Sequence, residues 1–284
     1  DATNILDKPL LTIISSIAYD HMEYLGPDLR LIAGEKAGII KRNVPCIISN
    51  QTAGIDEIFF DKCQELSCQS FAMQYDFGIV KNIDGFKYMS KNQEIQLNKI
   101  GLAGDHQAVN AATAIAATEY LNDFGFSQDN IIQGIAKVNW PGRLQQITSG
   151  LAIRNLPEGS ELWIDGAHNI AGARALAHWL VEQNDNLPCY VIYGTTRGRD
   201  IDQFLQILSP HTAKIYAVQV QGESNSYTAE QLNQLTKLKL VPHDNLAAAL
   251  SDIIAHNTLK IRVLVTGSLF LTADILKLSN LAFL

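Results

Sequence analysis

The segment LWIDGAHNIAGARALAHWL, residues 162–180, decides the fold of the second half of the chain. An apolar strand, LWI, leads into the polar loop DGAHN at 165–169, and a helix near 170–183 follows. The same succession recurs at CYVIYG, AKIYAVQV and IRVLVTG, with helices predicted near 200–208, 228–236, 244–256 and 268–278. Strands that alternate with helices are typical of parallel βαβ units. Residues 141–284 are therefore expected to form a Rossmann-like, doubly wound α/β domain.

Polar residues collect in the loops that follow these four strands, at 165–169, 194–200, 221–225 and 266–268. In open α/β sheets, ligands bind outside the carboxyl ends of the strands, so the four loops outline one candidate site. Surface loops are polar in any case, so the pattern alone leaves a purely structural interpretation open. The Gly267-Ser268 pair opens a helix and suits an anion such as a carboxylate. No G-x-G-x-x-G follows the first strand, which argues against a dinucleotide site.

The first half of the chain, residues 1–140, predicts a second α/β region. The apolar runs LLTIISSIA (10–18) and PCIIS (45–49) are typical of buried strands. Alternation of apolar and polar residues on both sides of 84–85 predicts a β-hairpin. Proline and glycine in NWPGR (139–143) indicate a domain boundary. Helices are predicted at 26–40, 54–67, 104–121 and 127–138, the last of them capped by Ser127.

The composition argues against two kinds of partner. The chain has 22 basic and 29 acidic residues, a net charge of −7, and so lacks the basic excess that binds nucleic acid. Its apolar runs are shorter than the ~20 residues of a membrane helix, and no secretory signal is visible.

The four cysteines lack C-x-x-C spacing, which predicts free thiols in a reducing compartment, and hence a cytoplasmic protein. No pattern predicts an obligate interface, so a monomer is expected.

Lys36 is the most informative residue of the first half. It falls within the apolar face of the predicted helix at 26–40, and a buried amine is costly unless it is paired, neutral or modified. The stem can snorkel so that the charge reaches water. The alternative is a desolvated amine with a lowered pKa that reacts with a small electrophile such as carbon dioxide.

Four other residues are candidates for binding, each with a structural alternative. His21 follows a strand end, where a metal ligand would be placed, although a lone histidine is more often an ordinary polar residue. His106 and Asn110 are four residues apart on one helix, and Asn110 could read an adenine edge or simply pack. Arg143 could bind a phosphate with two hydrogen bonds, or be a solvated linker charge.

The order of the motifs along the chain indicates a protein family more specifically than any single motif does. SSIAYDHMEYLG, EKAGI, GDHQAVNAATAI, WPGRLQQI, IDGAHNIAGARAL and VTGSLF together resemble folylpolyglutamate synthase/dihydrofolate synthase, of the Mur ligase superfamily. The resemblance implies that 1–140 is the distal part of a P-loop-type ATP-binding domain, and 141–284 a Rossmann-like glutamate-ligase domain. It also implies an enzyme that uses ATP to activate a folate or dihydropteroate carboxylate as an acyl phosphate, which the amino group of L-glutamate then attacks.

The resemblance assigns metal and nucleotide roles to matching residues. His21 is similar to the family's Mg²⁺ ligand, and Lys36 to the lysine that is carbamylated and positions a magnesium ion. Carbamylation would turn a costly cation into an anionic oxygen ligand, which Mg²⁺ prefers. Asn110, Arg143 and Asp165 are similar to ATP contacts at the base, the phosphate and the ribose-phosphate side. Arg143 would balance charge on the transferred phosphoryl group.

Substrate roles follow in the same way. His168 and Ser268 are similar to groups around the incoming glutamate, and His168 joins Lys36 and Arg143 as a catalytic candidate. Asp1 and Ala2 match the end of the family's GGRLDATN stretch, which lines the pterin-side pocket. This match implies that family sequences continue upstream of residue 1, so an N-terminally truncated chain is expected.

Two departures from the family pattern keep alternatives open. The family's DKD after the second C-terminal strand is replaced by residues 198–200, GRD, and no G-x-x-x-x-G-K-S/T occurs in the chain. Missing P-loop residues favour a non-catalytic remnant of such a ligase. A related ligase that adds an amino acid to a cell-wall precursor is the other alternative, although the DGAHN form favours the folate branch.

Overall fold

The computed structural model describes residues 2–19, Gly26 and 28–279. Backbone contacts divide the chain into two compact units. The first unit comprises Asp1–Gly101 and Asp105–Asn139, and the second Leu102–Gly104 and Trp140–Leu284. None of the described helices has the length and apolar character needed to cross a membrane.

The first unit contains a parallel sheet and an antiparallel sheet. Strands β1 (Thr12–Ile14), β2 (Cys46–Ile48) and β3 (Ser70–Ala72) form the parallel sheet in that order. Helices α1 (Leu29–Ala37) and α2 (Asp56–Glu65) contribute to one apolar core with it. The antiparallel sheet comprises β4 (Phe77–Asn82), β5 (Gly85–Ser90) and β6 (Glu94–Leu97). It shares a second core with helices α3 (His106–Thr118) and α4 (Gln128–Lys137).

Local signals explain where these elements begin and end. The hairpin predicted around 84–85 is confirmed, with Asn82 paired to Gly85 and Gly85 at a φ of 120°. Ser127 caps α4 as predicted. The predicted strand at 10–18 and helix at 26–40 are wrong in length. Only 12–14 pair as a strand, and α1 starts after Asp28, whose carboxylate accepts the amide hydrogen of Arg30 at 2.8 Å.

The second unit is built on one six-stranded sheet. Its strands are β7 (Gln145–Ile147), β8 (Glu161–Ile164), β9 (Cys189–Tyr193), β10 (Lys214–Val218), β11 (Val241–His243) and β12 (Arg262–Thr266). Their spatial order is β11-β10-β9-β12-β8-β7, and all neighbours are parallel except β7 and β8. The predicted α/β class with a doubly wound sheet is confirmed. The sequence patterns missed β7 and β11, which are three residues each.

Helices cover both faces of this sheet. They are α5 (Leu151–Arg154), α6 (Ile170–Gln183), α7 (Ile201–Leu208), α8 (Ala229–Gln234), α9 (Leu246–Ala255) and α10 (Leu269–Leu278). Buried residues of α6, α7 and α8 form one core, whereas those of α5, α9 and α10 form another. Because strands β9, β10 and β12 are buried on both faces, their sequences are continuous apolar runs.

Candidate active site at the carboxyl edge of the second sheet

The strand order of the second unit creates a switch point. The chain passes from β8 to β9 without pairing them, and β12 later inserts between the two. Connections that leave neighbouring strands toward opposite faces open a crevice at the carboxyl edge, which is where α/β proteins bind ligands. The loops 165–169, 194–200 and 267–268 follow these three neighbouring strands. The structure therefore brings these three polar loops together, and the fourth, 221–225, lies against the loop 194–200.

Asp165 ties the first of these loops to the turn that carries Arg143. Its carboxylate is 7% exposed and accepts the amide hydrogens of Leu144 and Ala167, each at 2.7 Å. A further bond joins the amide of Gly166 to the carbonyl oxygen of Gly142 at 2.8 Å. Burial raises the pKa of Asp165, and the two amides and the nearby Arg143 charge oppose that rise. Asp165 and the Gly166 amide thus hold the backbone on the two sides of Arg143, while the Arg143 side chain is exposed.

Two side chains predicted to surround glutamate lie on adjoining loops. His168 is half-buried, and its Nδ1 donates to the carbonyl oxygen of Gly166 at 2.8 Å. Ser268 is 5% exposed and caps α10, because its hydroxyl accepts the amide hydrogen of Phe270. The amide of Gly267 donates to Ala167 at 2.9 Å, so the two loops are directly hydrogen-bonded.

Glycine is required at this edge for steric reasons. A Cβ on Gly267 would lie 2.6 Å from the carbonyl oxygen of Gly194 and 2.7 Å from the Tyr193 ring, and its φ is 108°. A Cβ on Gly166 would lie 2.2 Å from a methyl carbon of Leu269. The close approach of the ends of β9 and β12 at the switch point therefore depends on the absence of a side chain at Gly267.

Replacing Gly267 by alanine tests this close packing. We expect the free energy of unfolding to fall by about 2–4 kcal/mol, because backbone strain and a clash with fixed atoms add. Gly222→Ala is the matched control, since Gly222 also has a positive φ of 76° but nothing within 4 Å of the added Cβ. It should cost about 1 kcal/mol. Urea unfolding of both variants makes the comparison, and equal losses would contradict the steric argument.

The loop 194–200 is held by neighbours within the second unit. Its Arg197 amide donates to the carbonyl oxygen of Asn225 at 2.9 Å, and the guanidinium stacks over the Tyr227 ring. Asp200 accepts the amide hydrogen of Gln203 at 3.0 Å and caps α7. Asp200, the one acid that this loop retains from the family's DKD pattern, therefore stabilises the start of a helix.

Asn110 belongs to a polar row along α3 in the first unit. Its amide nitrogen donates to the side-chain oxygen of Gln107 at 2.9 Å, and Gln107 in turn donates to His106 at 3.0 Å. Gln107 is buried, whereas His106 and Asn110 are exposed. Further along the helix, the hydroxyl groups of Thr113 and Ser49, which follows β2, are hydrogen-bonded at 2.8 Å. Sequence reasoning missed Gln107, although its place between two candidates was a usable signal.

Lys36 has the more open of the two environments that the sequence allowed. Its side chain is exposed, so the charge reaches water, and the alternative of a desolvated amine is wrong. The reason is local: α1 ends at Ala37, and its buried residues are Ile32, Ala33 and Ala37. Lys36 therefore sits beside this narrow apolar face, in the last turn, where its long stem reaches water.

Three predicted site residues can be described only in part or not at all. Asp1 and His21 lie outside the described residues, and for Ala2 only the backbone is described, within a 3₁₀ turn at Ala2–Ile5. Within each unit taken alone, the described residues contain no three His, Cys, Asp or Glu side chains close enough to share one ion.

Comparisons with known proteins place this chain in a family. Residues 152–278, which carry the DGAHN loop and Ser268, match the family model described as dihydrofolate synthetase, C-terminal domain. The chain belongs to the folylpolyglutamate synthase/dihydrofolate synthase family. It is 32% identical to a probable dihydrofolate synthetase of Schizosaccharomyces pombe, over 73% of this chain and 49% of that protein. It is 28% identical to the Bacillus subtilis dihydrofolate synthase/folylpolyglutamate synthase, over 98% of this chain and 64% of that protein.

Solved structures of the family have the same fold. Escherichia coli FolC in complex with DHPP and ADP matches 99% of this chain and 63% of its own, with a TM-score of 0.84 and 26% identity. A bifunctional folylpolyglutamate synthase/dihydrofolate synthase with Mn, AMPPNP and L-glutamate bound matches with a TM-score of 0.81 and 25% identity, over 98% of this chain and 63% of that one. The chain thus spans about half to two thirds of the length of these four relatives.

Proposed function

We propose that this protein takes part in ATP-dependent ligation of L-glutamate to dihydropteroate, to reduced folates, or to both. The observation that carries the proposal is the Arg143 turn, which Asp165 fixes beside the DGAHN loop at the switch point of the sheet. The bound nucleotide, DHPP and glutamate of the solved relatives support the same substrates here. In this proposal the ATP-binding region is 1–140 and the glutamate-ligase region is 141–284.

Arg143 acts on the phosphoryl group that is transferred from ATP to the acceptor carboxylate. Its guanidinium is exposed on a rigid turn and can donate two parallel hydrogen bonds to phosphate oxygens. Charge that develops on the phosphoryl group during transfer is thereby balanced. Asp165 is a positioning residue in this scheme, because both of its oxygens accept backbone amides of the loops that it joins. Asn110 contacts the adenine.

His168 and Ser268 act on the incoming glutamate. The bond from Nδ1–H of His168 to Gly166 selects the tautomer whose lone pair is on Nε2. Nε2 can then accept the proton that the α-ammonium group of glutamate must lose before it attacks the acyl phosphate. Ser268 and the amino end of α10 bind a carboxylate of glutamate, where the helix dipole favours an anion.

Lys36 can bind the proposed Mg²⁺ ion only if its side chain is carbamylated. The exposed ammonium group of Lys36 is a cation and cannot bind a metal ion, whereas its carbamate offers anionic oxygens. The accessible amine of Lys36 can react with carbon dioxide. The other candidate ligand, His21, lies outside the described residues. When bound, the ion would neutralise charge on the ATP phosphates. No step above depends on it.

A ligation assay tests the proposal. Protein expressed from the complete reading frame is incubated with ATP, Mg²⁺, labelled L-glutamate and one of three acceptors: dihydropteroate, a reduced folate, or a uridine-linked muramoyl peptide. We expect an amide product with one of the two pterin-containing acceptors and one ADP for each amide. Product with the muramoyl peptide alone would favour the cell-wall branch, and no product with any acceptor would favour a non-catalytic remnant.

A further inference from the structure

Three of the four cysteines form a cluster in the first unit. Cys46 opens β2 and is fully buried, Cys63 lies in the last turn of α2 and is 2% exposed, and Cys68 lies half-buried in the loop before β3. Cys46 and Cys63 belong to one buried apolar cluster, and the Cys68 side chain packs against it. The cluster is thus a row of thiols that leads from the surface into the core.

The turn that ends α2 explains why Cys63 and Cys68 meet. The amide of Cys68 donates to the carbonyl oxygen of Cys63 at 2.9 Å, and the amide of Ser67 donates to Gln64 at 3.1 Å. Ser67 has a left-handed φ of 52°. These are the two bonds of a Schellman motif, which places the side chains of its first and last residues against one another. Here both of those residues are cysteines.

Two backbone bonds hold this turn against the sheet. The amide of Asn43 donates to Leu66 at 3.1 Å, and the amide of Cys46 donates to Gln69 at 2.8 Å. The fold therefore keeps Cys63 and Cys68 next to each other at the two ends of one ordered turn, rather than leaving their encounter to a flexible loop. Their exposure differs, so a small solute meets Cys68 first.

We propose that Cys63 and Cys68 are a reversible oxidation site, at which a hydroperoxide forms an intramolecular disulfide. The thiolate of Cys68 attacks the hydroperoxide, which is reduced to an alcohol or to water while the sulfur becomes a sulfenic acid. The sulfur of Cys63 then displaces the hydroxyl group of that sulfenic acid, which leaves as water with the proton of Cys63. The net change is the loss of two hydrogen atoms from the protein, and a dithiol reverses it.

The environment of the thiols sets the pH dependence of this reaction. Burial raises the pKa of Cys68, and the hydrogen bond from the Cys63 thiol to Cys46 raises the pKa of Cys63 while it lowers that of Cys46. Because the thiolate is the nucleophile, oxidation is slow at neutral pH and accelerates as the pH rises. Tyr88 and Tyr75 also lose protons only in alkali, but neither side chain belongs to the apolar cluster around the three cysteines. The pH dependence of the oxidation is therefore assigned to the thiols.

Peptide mapping after mild oxidation tests the proposal. The folded protein is treated with hydrogen peroxide at about pH 8, and free thiols are blocked with N-ethylmaleimide. The protein is then digested, and the peptide masses are measured by mass spectrometry. We expect a peptide that links Cys63 and Cys68, lighter by two hydrogen atoms and restored by dithiothreitol, while Cys189 stays free. Conversion of Cys68 to sulfinic acid beside an unreacted Cys63, or a disulfide elsewhere, would overturn the proposal.

Variants at Ser67 test whether the rate of disulfide formation depends on the geometry of the turn or only on the exposure of Cys68. Ser67→Gly keeps the left-handed conformation and should leave the rate of disulfide formation unchanged. Ser67→Pro fixes φ near −65° and removes an amide donor, so the rate should fall by about tenfold or more. Circular dichroism confirms that each variant is folded, and equal rates in the two would contradict the role of the motif.

A trap for sulfenic acid gives a second readout that does not depend on altering the turn. Cys63→Ser should accumulate a dimedone adduct at Cys68, because no neighbouring thiol remains to displace its hydroxyl group. Wild-type protein and the control Cys189→Ser should show little adduct. Equal adduct at Cys68 in the presence and absence of Cys63 would show that the two thiols do not react together.

Discussion

Arg143→Ala is expected to lower kcat for glutamate ligation about 100- to 1000-fold, which is the range found when a donor to a charged transition state is removed. The KM for glutamate should change little, because Arg143 is assigned to the phosphoryl group. Its side chain is exposed, so the free energy of unfolding should stay within about 0.5 kcal/mol of wild type. Steady-state kinetics and urea unfolding measure the two quantities on the same samples.

Two further variants make the Arg143 result specific. Arg154→Ala removes another exposed arginine of the second unit and should leave kcat unchanged. Arg143→Lys keeps the charge but loses the paired hydrogen bonds, so its kcat should lie between those of wild type and Arg143→Ala. An Arg143→Ala enzyme with wild-type kcat would remove this residue from the chemistry.

Arg262→Ala is expected to have the largest effect on stability, a loss of about 3–5 kcal/mol. Arg262 is 2% exposed at the start of β12, and its guanidinium donates to Glu161 at 2.7 Å and to both oxygens of Asp185. It also stacks over the Trp179 ring. Truncation leaves a cavity in the packing and two carboxylates without their cation. Thermal and urea unfolding of the second unit measure the loss.

The pH dependence of that loss identifies the ion pair as its source. The hydrogen bond from Arg262 holds the pKa of Asp185 below its ordinary value of 3.8. A carboxylate whose pKa is lower in the folded state than in the unfolded state stabilises the fold at any pH above its unfolded-state pKa. That stabilisation is lost as the pH falls through the folded-state pKa. The gap between wild type and Arg262→Ala should therefore narrow below about pH 3.8. Lys277→Ala, which breaks an exposed pair with Asp274, should cost less than about 1 kcal/mol at any pH.

The sequence predicted those parts of the molecule that depend on local pattern. The strand-loop-helix at 162–180 was predicted correctly because an apolar run, a polar loop and a helical pattern lie next to one another, and the structure adds Asn169 as the helix cap. Ser268 was predicted as the start of a helix for the same reason. Short strands such as β11 were missed, since three residues carry too little periodicity to stand out.

Features that depend on distant contacts could not be predicted in this way. Asp165 and Leu144 are 21 residues apart, and Arg262 meets Asp185 across 77 residues, so neither pair leaves a pattern in a local window. The sequence left open whether Lys36 is exposed or desolvated, because helical spacing indicates a face but not how much of it is covered. The contact between Cys63 and Cys68 depends on one left-handed serine.

Transfer of labelled oxygen tests the central claim most directly. Dihydropteroate, or a reduced folate, is prepared with heavy oxygen in the carboxylate and turned over with ATP and L-glutamate by the protein from its complete reading frame. An acyl-phosphate route predicts that one labelled oxygen from each carboxylate appears in inorganic phosphate, since the acceptor oxygen that attacks ATP leaves with the phosphoryl group. Amide product with unlabelled phosphate, or label in AMP, would contradict the account.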